Sequence, residues 1–167
     1  WGAHQNDIAQ WGLGMDESGP VEIEGYATFP TEGAFDTAST FEILYTYANG
    51  VRLRCSNLQR GVRFVGTNGW IFVDRGVLDA SSPDLLEIQL GANDVHLYES
   101  PEHHENWLEC IRTRQTPICD AEIGFRSVTV CHLGNIAIRS GQKINWNPQT
   151  ERIVGNEEAN RWLYRPY

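Results

Sequence analysis

The sequence predicts an α+β fold with an open, mostly antiparallel β-sheet in the form of a meander. Helices are expected on one face of the sheet, and the other face is expected to serve oligomerisation. Residues 21–29 alternate between apolar and polar side chains, which is the period of a half-buried strand. Two turn sequences, Asn49-Gly50 and Thr67-Asn68-Gly69, each separate two strand-like runs. Residues 102–114 and 120–141 have the apolar spacing of amphipathic helices.

The first element is predicted to be a helix over residues 3–13. Ile8 and Trp11 would form its apolar stripe, and Gly12 and Gly14 are placed to end it. A strand over residues 21–29 then follows.

Two hairpins are predicted next. Residues 41–48 and 51–56 flank Asn49-Gly50, whose residue types accept the positive φ angles of a type I′ turn. Residues 62–66 and 70–74 form the second pair. Four or five strands in one meander would need a helical layer on at least one face.

The second half is predicted to supply that layer. The segment 102–114 carries Trp107, Leu108 and Ile111 on one stripe, while Asp120 is a good N-cap for a second helix that Gly141 ends. Both helices are expected to cover the sheet. Residues 143–146 are expected to form a short strand, and residues 157–163 a short helical tail.

Composition and charge limit the classes of partner. With 167 residues, of which 41% are hydrophobic, one domain over 1–167 is expected. A net charge of -9 argues against nucleic acid and anionic membranes as partners, and no apolar run reaches the length of a membrane span. The cysteines have no metal or redox spacing and are expected to be reduced and mostly buried: Cys55, Cys110, Cys119 and Cys131.

The candidate catalytic group lies in the first helix. Helical spacing places His4, Asp7, Ile8 and Trp11 on one side, so that an imidazole and a carboxylate address the same volume. Imidazole exchanges protons near neutrality, and a carboxylate can orient its tautomer. The alternative is a structural histidine at the helix end, with Trp1 and Trp11 serving as core.

Other candidate sites are weaker. His103, His104 and Glu105 suggest a metal site, but adjacent helical residues point about 100° apart, so a solvated helix start is expected. His96 and His132 are expected to be structural. The sequence has no glycine-rich phosphate loop and no serine or cysteine nucleophile motif, so no cofactor-binding or metal-binding residue is assigned.

The chain is rich in aromatic residues, with six Trp and six Tyr. Tyr45, Tyr47, Trp70 and Trp162 are candidates for a sugar-binding or subunit surface, since both uses favour flat amphipathic side chains. Packing in the core is the alternative for each of them.

Several segments resemble the C-terminal domain of the bacterial Gfo/Idh/MocA family of NAD(P)-dependent oxidoreductases. The resemblance covers nearly the whole chain, and its segments occur in the family's order. They are residues 1–11, 66–75 and 106–167, the last with the runs Asn106-Trp107-Leu108-Glu109-Cys110-Ile111-Arg112, His132-Leu133-Gly134-Asn135-Ile136-Ala137 and Glu158-Ala159-Asn160-Arg161.

The resemblance implies an N-terminal Rossmann domain that holds NAD or NADP and is absent from this chain, followed by this domain for substrate binding and oligomerisation. In the family, an Asp lies four residues before the site histidine, and in this chain that position would fall immediately before Trp1. A Lys from the Rossmann domain completes the family's site. His4 would be the general acid/base, while Trp1, Asp7 and Trp11 would bind substrate. The chain alone is expected to be inert and to bind no cofactor.

The predicted function is therefore that of the C-terminal domain of an NAD(P)-dependent sugar or polyol dehydrogenase. The alternatives are a domain of an NAD-dependent glycoside hydrolase and a free-standing sugar-binding or assembly module. A homo-oligomer, dimer or tetramer, is expected. A cytoplasmic location is expected, although export of the parent enzyme stays open. The sequence also leaves open the substrate and the choice between NAD and NADP.

Overall fold

The structure is a computed structural model that describes residues 2–164, so Trp1 and residues 165–167 lie outside the description. The chain divides into two compact units, one formed by residues 1–60 and 125–167 and the other by residues 61–124. The helices are α1 Gly2–Gly12, α2 His103–Thr113, α3 Ala121–Ser140 and α4 Glu157–Asn160. The strands are β1 Pro20–Thr28, β2 Thr40–Tyr47, β3 Arg52–Ser56, β4 Val62–Gly66, β5 Gly69–Asp74, β6 Val77–Ala80, β7 Ile144–Asn147 and β8 Arg152–Ile153; Pro83–Leu86 and Arg161–Leu163 are 3-10 turns.

The first unit is built on a five-stranded sheet in the order β3-β2-β1-β7-β8, with antiparallel neighbours throughout. The predicted hairpin at Asn49-Gly50 joins β2 to β3. The predicted type I′ turn is wrong, because Gly50 has a positive φ of 85° and Asn49 does not have a positive φ. The predicted short strand near residue 144 is β7, which pairs with β1 through Ile23 and Ile144. The α+β fold class with an open, mostly antiparallel sheet is confirmed.

The core of the first unit lies between α3 and this sheet. Val130, Leu133 and Ala137 of α3 are fully buried against strand residues such as Ile23 and Ile144. These side chains recur at the three- and four-residue spacing of one helical face, and their burial supplies most of the driving force for packing.

A glycine allows α3 to approach β2 closely. A Cβ built on Gly134 would overlap the hydroxyl of Tyr45 and would lie 3.0 Å from Cδ1 of Ile43. Tyr45 is only 1% exposed and Ile43 is 5% exposed, so neither side chain has free space into which it can move. Tyr45 and Tyr47 are thus core residues and not the surface aromatics that the sequence suggested.

The second unit contains a three-stranded antiparallel sheet, β4-β5-β6, and helix α2. The second predicted hairpin is confirmed, with Gly66 opposite Gly69 at its turn. The prediction of a single meander is wrong, because these strands form a sheet of their own.

The sequence predicts that two helices each bury an apolar face; α3 does so against its sheet, whereas α2 does not. Helix α2 buries none of its residues, and Trp107, Leu108 and Ile111 of its apolar stripe are 60%, 44% and 45% exposed. Its ends follow the sequence signals, since Glu102 caps the first turn and Arg114 adopts a left-handed conformation after the last turn.

None of the four cysteines, all of which lie within residues 2–164, forms a disulfide bond. The expectation that most are buried is wrong: Cys55, Cys110 and Cys131 are half-buried and Cys119 is exposed. Cys110 lies on the unburied helix α2, and Cys55 on β3 at the edge of its sheet. Within residues 2–164, no helix has the length and apolar character that a membrane span requires.

Candidate functional site

The predicted site residues lie on the outward side of α1. His4 is exposed, Asp7 is half-buried and Trp11 is 45% exposed. The buried side of the helix consists of Asn6, Ala9 and Gln10. The predicted apolar stripe is therefore not the buried side of α1, since Ile8 is only half-buried and Trp11 is exposed, and His4, Asp7 and Trp11 share the outward face. The fourth predicted site residue, Trp1, lies outside the described residues.

A buried amide fixes the position of α1 from below. Gln10, which is 1% exposed, accepts a hydrogen bond of 2.6 Å at Oε1 from the hydroxyl of Tyr47. Its Nε2 donates to the backbone oxygens of Met15 at 2.9 Å and Ser18 at 3.2 Å. A buried polar side chain with its donor and acceptor both paired specifies one orientation of the helix.

A second polar contact connects α1 to α3. Nδ2 of Asn6 donates to Sγ of Cys131 at 3.3 Å. Burial, and then the nearby Cys131, raise the pKa of the neighbouring Cys55 thiol to about 11. The Cys55 thiol is therefore neutral near pH 7 and is not a nucleophile.

Acidic groups gather near the C-terminal end of α1. The pKa of Asp16 is raised, chiefly by burial and then by the like charges of Asp7 and Glu17. Asp7 therefore lies close enough to Asp16 for the two carboxylates to repel one another. This part of the outward face presents acceptor oxygens, which suit the hydroxyl groups of a polyol.

The histidine pair at the start of α2 is arranged differently from the sequence expectation. Ligand atoms of Glu102, His103 and His104 lie within 4.8 Å of one another, so the two imidazoles do converge, with Glu102 and not with Glu105. This is possible because Glu102 precedes the helix in an extended conformation. The side chains of His103 and His104 are 80% and 72% exposed, as a solvated helix start predicts.

This cluster is poorly suited to a cation. The carboxylate of Glu102 already accepts from the backbone N–H of Glu105 at 2.9 Å and lies 3.0 Å from Nδ1 of His104. These hydrogen bonds lower the pKa of Glu102, that from Glu105 most strongly. The positive end of the helix dipole also opposes a bound cation.

The N-termini of α2 and α3 do not fit the phosphates of a dinucleotide. Glu102 caps α2 with a carboxylate, and Asp120 accepts from the backbone N–H of Ile123 at 3.0 Å at the start of α3. A carboxylate at each of these ends takes the place that an anionic pyrophosphate would occupy. The sequence also lacks a glycine-rich loop, so the residues described in this chain do not form a cradle for NAD(P).

The structure also shows a groove that the sequence analysis did not predict, here named the α3–tail groove. It lies between α3 and the segment 161–164, and it has a volume of about 810 Å³. On α3 it is lined by a stripe at spacings of four, three, four and three: Phe125, Thr129, His132, Ile136 and Arg139.

His132 was expected to be a structural residue, but it is exposed and lines this groove. Trp162, one of the predicted surface aromatics, lines it too and is 50% exposed. The helical spacing of this second stripe is present in the sequence, but the stripe mixes polar and apolar residues and therefore gives a weaker signal than the apolar stripe of the core.

Comparison with the sequence profiles of known families assigns the chain to one of them. Residues 1–167 match the profile of the oxidoreductase family, C-terminal alpha/beta domain, of the Gfo/Idh/MocA type. The chain belongs to this family. The resemblance noted from the sequence is thus confirmed, and the match covers both compact units. A search of curated protein sequences finds no match.

Solved structures of several oxidoreductases share the fold. The WlbA dehydrogenase from Bordetella pertussis, solved with NADH and UDP-GlcNAcA, has a TM-score of 0.62 and 16% identity over 87% of this chain and 43% of its own. Aldose-aldose oxidoreductase from Caulobacter crescentus, solved with glycerol, has a TM-score of 0.60 and 15% identity over 86% and 45%. UDP-N-acetylglucosamine 3-dehydrogenase GnnA from Acidithiobacillus ferrooxidans has a TM-score of 0.56 and 17% identity over 83% and 46%. This Gfo/Idh/MocA domain thus spans less than half the length of these structures.

Proposed function

We propose that this Gfo/Idh/MocA domain is the substrate-binding part of an NAD(P)-dependent sugar or polyol dehydrogenase, with His4 as its general acid/base. The observation that carries the proposal is the outward face of α1, where His4, Asp7 and Trp11 are accessible while Gln10 holds the opposite side in place. WlbA and GnnA, which share the fold, are dehydrogenases, and this supports the same reaction class.

The proposed chemistry of this chain is a proton transfer. In oxidation, the imidazole of His4 accepts the proton of a substrate hydroxyl as that hydroxyl is converted to a carbonyl. In reduction, it returns the proton to the oxygen. Asp7, one helical turn away, accepts hydrogen bonds from neighbouring hydroxyls, and the indole of Trp11 packs against the apolar face of the sugar ring. Trp1 is proposed as a second aromatic wall.

The redox step is not assigned to any residue of this chain. Because α2 and α3 are capped by carboxylates and the sequence contains no glycine-rich phosphate loop, we propose that NAD(P) is held by a separate Rossmann domain and that these 167 residues alone are inert.

The test is His4→Asn in a polypeptide that joins this domain to a Rossmann domain. Loss of a general acid/base lowers kcat by about 10²- to 10⁴-fold, leaves KM nearly unchanged, and removes the corresponding limb of the pH–rate profile. His103→Asn is the matched control, because this imidazole is 80% exposed in the second unit. Full activity of His4→Asn would refute the role of His4, and aryl-glycoside release without net NADH formation would refute the dehydrogenase assignment.

We also propose that the protein forms a homo-oligomer, a dimer or tetramer. Exposed apolar side chains support this, among them Val65, Leu78 and Trp107, which are 77%, 61% and 60% exposed. Light scattering at tens of micromolar, roughly the range in which interfaces of standard size persist, tests it. A monomer under these conditions would contradict the proposal.

A further inference from the structure

The α3–tail groove is a concave surface with a well-packed base. Its volume of about 810 Å³ lies within the range of roughly 300–1,000 Å³ that small-molecule sites occupy. Its base includes Leu133, Ile136 and Trp146, which are 0%, 4% and 6% exposed and belong to the core of the first unit. A base held by core packing presents a preformed surface to a ligand.

The groove has one guanidinium group without an internal partner. Arg139 donates to the backbone oxygen of Asp36 at 2.9 Å and lies 3.4 Å from its carboxylate, so its charge is matched. Glu151 lies 3.5 Å from Arg126. Arg161 is exposed in the groove wall, and its guanidinium forms no hydrogen bond or ion pair with any other residue between 2 and 164, although its backbone N–H bonds to carbonyls of α4.

The remaining lining suits a ring that carries hydroxyl groups. The imidazole of His132, the hydroxyl of Thr129 and the amide of Asn135 offer both donors and acceptors along α3. Trp162, half exposed on the opposite wall, presents an indole surface on which the C–H face of a sugar can pack.

We propose that the α3–tail groove binds a small anionic sugar, a sugar acid or a sugar phosphate, with Arg161 on the anionic group and Trp162 on the ring. The guanidinium selects the anion because it forms paired, charge-assisted hydrogen bonds with carboxylate or phosphate. No residue of α1 lines the groove, so this site stands apart from the role proposed for His4.

The experiment is calorimetric titration of the protein with D-glucuronate and with D-glucose 6-phosphate, with D-glucose as the neutral comparison. We expect at least one of the two anions to bind at 1:1 and at least about tenfold more tightly than glucose, since a charge-assisted pair is lost with the neutral sugar. A preference between the two identifies carboxylate or phosphate as the anion that is recognised.

Arg161→Gln is expected to weaken binding of the anion about tenfold or more, and Trp162→Ala several-fold. Both side chains are exposed, so the fold is retained, which circular dichroism verifies. The matched control is Arg52→Gln, which removes an exposed charge from β3 outside the groove and leaves binding unchanged. The proposal is overturned if neither anion binds at roughly 10 mM, if glucose binds equally well, or if Arg161→Gln and Arg52→Gln have the same effect.

Discussion

Removing one buried hydroxyl tests whether the Gln10 network holds α1 on the sheet. Tyr47→Phe deletes the donor of the 2.6 Å hydrogen bond to Oε1 of Gln10 and leaves that oxygen without the donor, in a side chain that is 1% exposed. A buried acceptor left unpaired costs about 1–3 kcal/mol, so the free energy of unfolding should fall by about 2 kcal/mol. For a chain of this size, the melting temperature should then fall by roughly 4–8 °C.

The assay is thermal unfolding combined with amide hydrogen exchange, which reports whether protection is lost first in α1. Burial raises the pKa of Tyr47 far above its ordinary value near 10, so the phenol remains a neutral donor throughout the neutral range. Tyr26→Phe is the matched control, because Tyr26 is 68% exposed on β1 and its change should lie within about 0.5 kcal/mol of zero. Equal stability of Tyr47→Phe and Tyr26→Phe would refute the anchoring role.

Three further predictions concern packing and thiol chemistry. Gly134→Ala should destabilise the protein by about 1–3 kcal/mol in chemical denaturation, because the added Cβ overlaps a buried side chain. Gly124→Ala in the same helix is the control: its Cβ meets no atom within 4 Å, so the change should be neutral or stabilising by up to about 1 kcal/mol. Equal effects of the two substitutions would contradict the close packing at Gly134. In alkylation followed by peptide mass spectrometry at pH 8, exposed Cys119 should react well before Cys55, whose pKa is raised to about 11, and the reverse order would contradict the burial of Cys55. The folded state holds the Cys55 proton more tightly than the unfolded chain does, so the stability contributed by the neutral thiol is fully present below pH 9 and is lost as the pH rises from about 9 through 11. Cys55→Ala should therefore flatten the decrease in the free energy of unfolding over this pH range, and an unchanged slope would refute the assignment.

The secondary structure was predictable where its signals are local. Asn49-Gly50 indicated the position of the β2–β3 turn because Gly50 readily adopts the positive φ that it has there. Asp120 indicated the start of α3 because its carboxylate accepts a hydrogen bond from a backbone N–H of the first turn. The separation of β4–β6 into a second sheet was not predictable, because two successive hairpins have the same local pattern whether or not their strands pair with one another.

The orientation of α1 shows why the candidate site was only half predictable. Apolar periodicity placed Ile8 and Trp11 inward, and the structure instead buries Asn6 and Gln10. That choice is favourable only because Tyr47, which lies 37 residues away in the sequence, supplies a donor and because carbonyls beyond the helix accept from the amide.

A non-local polar network of this kind determines which face of a helix is free. Had the indole of Trp11 been inward, the same 3.6-residue period would have carried His4 and Asp7 toward the core with it. Because the buried amide of Gln10 occupies the inward position, a histidine, a carboxylate and an indole are left together on the accessible side. The Gln10–Tyr47 hydrogen bond and the exposure of His4 therefore both depend on which face of α1 packs against the sheet. A substitution that lets α1 rotate should reduce both, even though neither Gln10 nor Tyr47 lies on the proposed substrate-binding face.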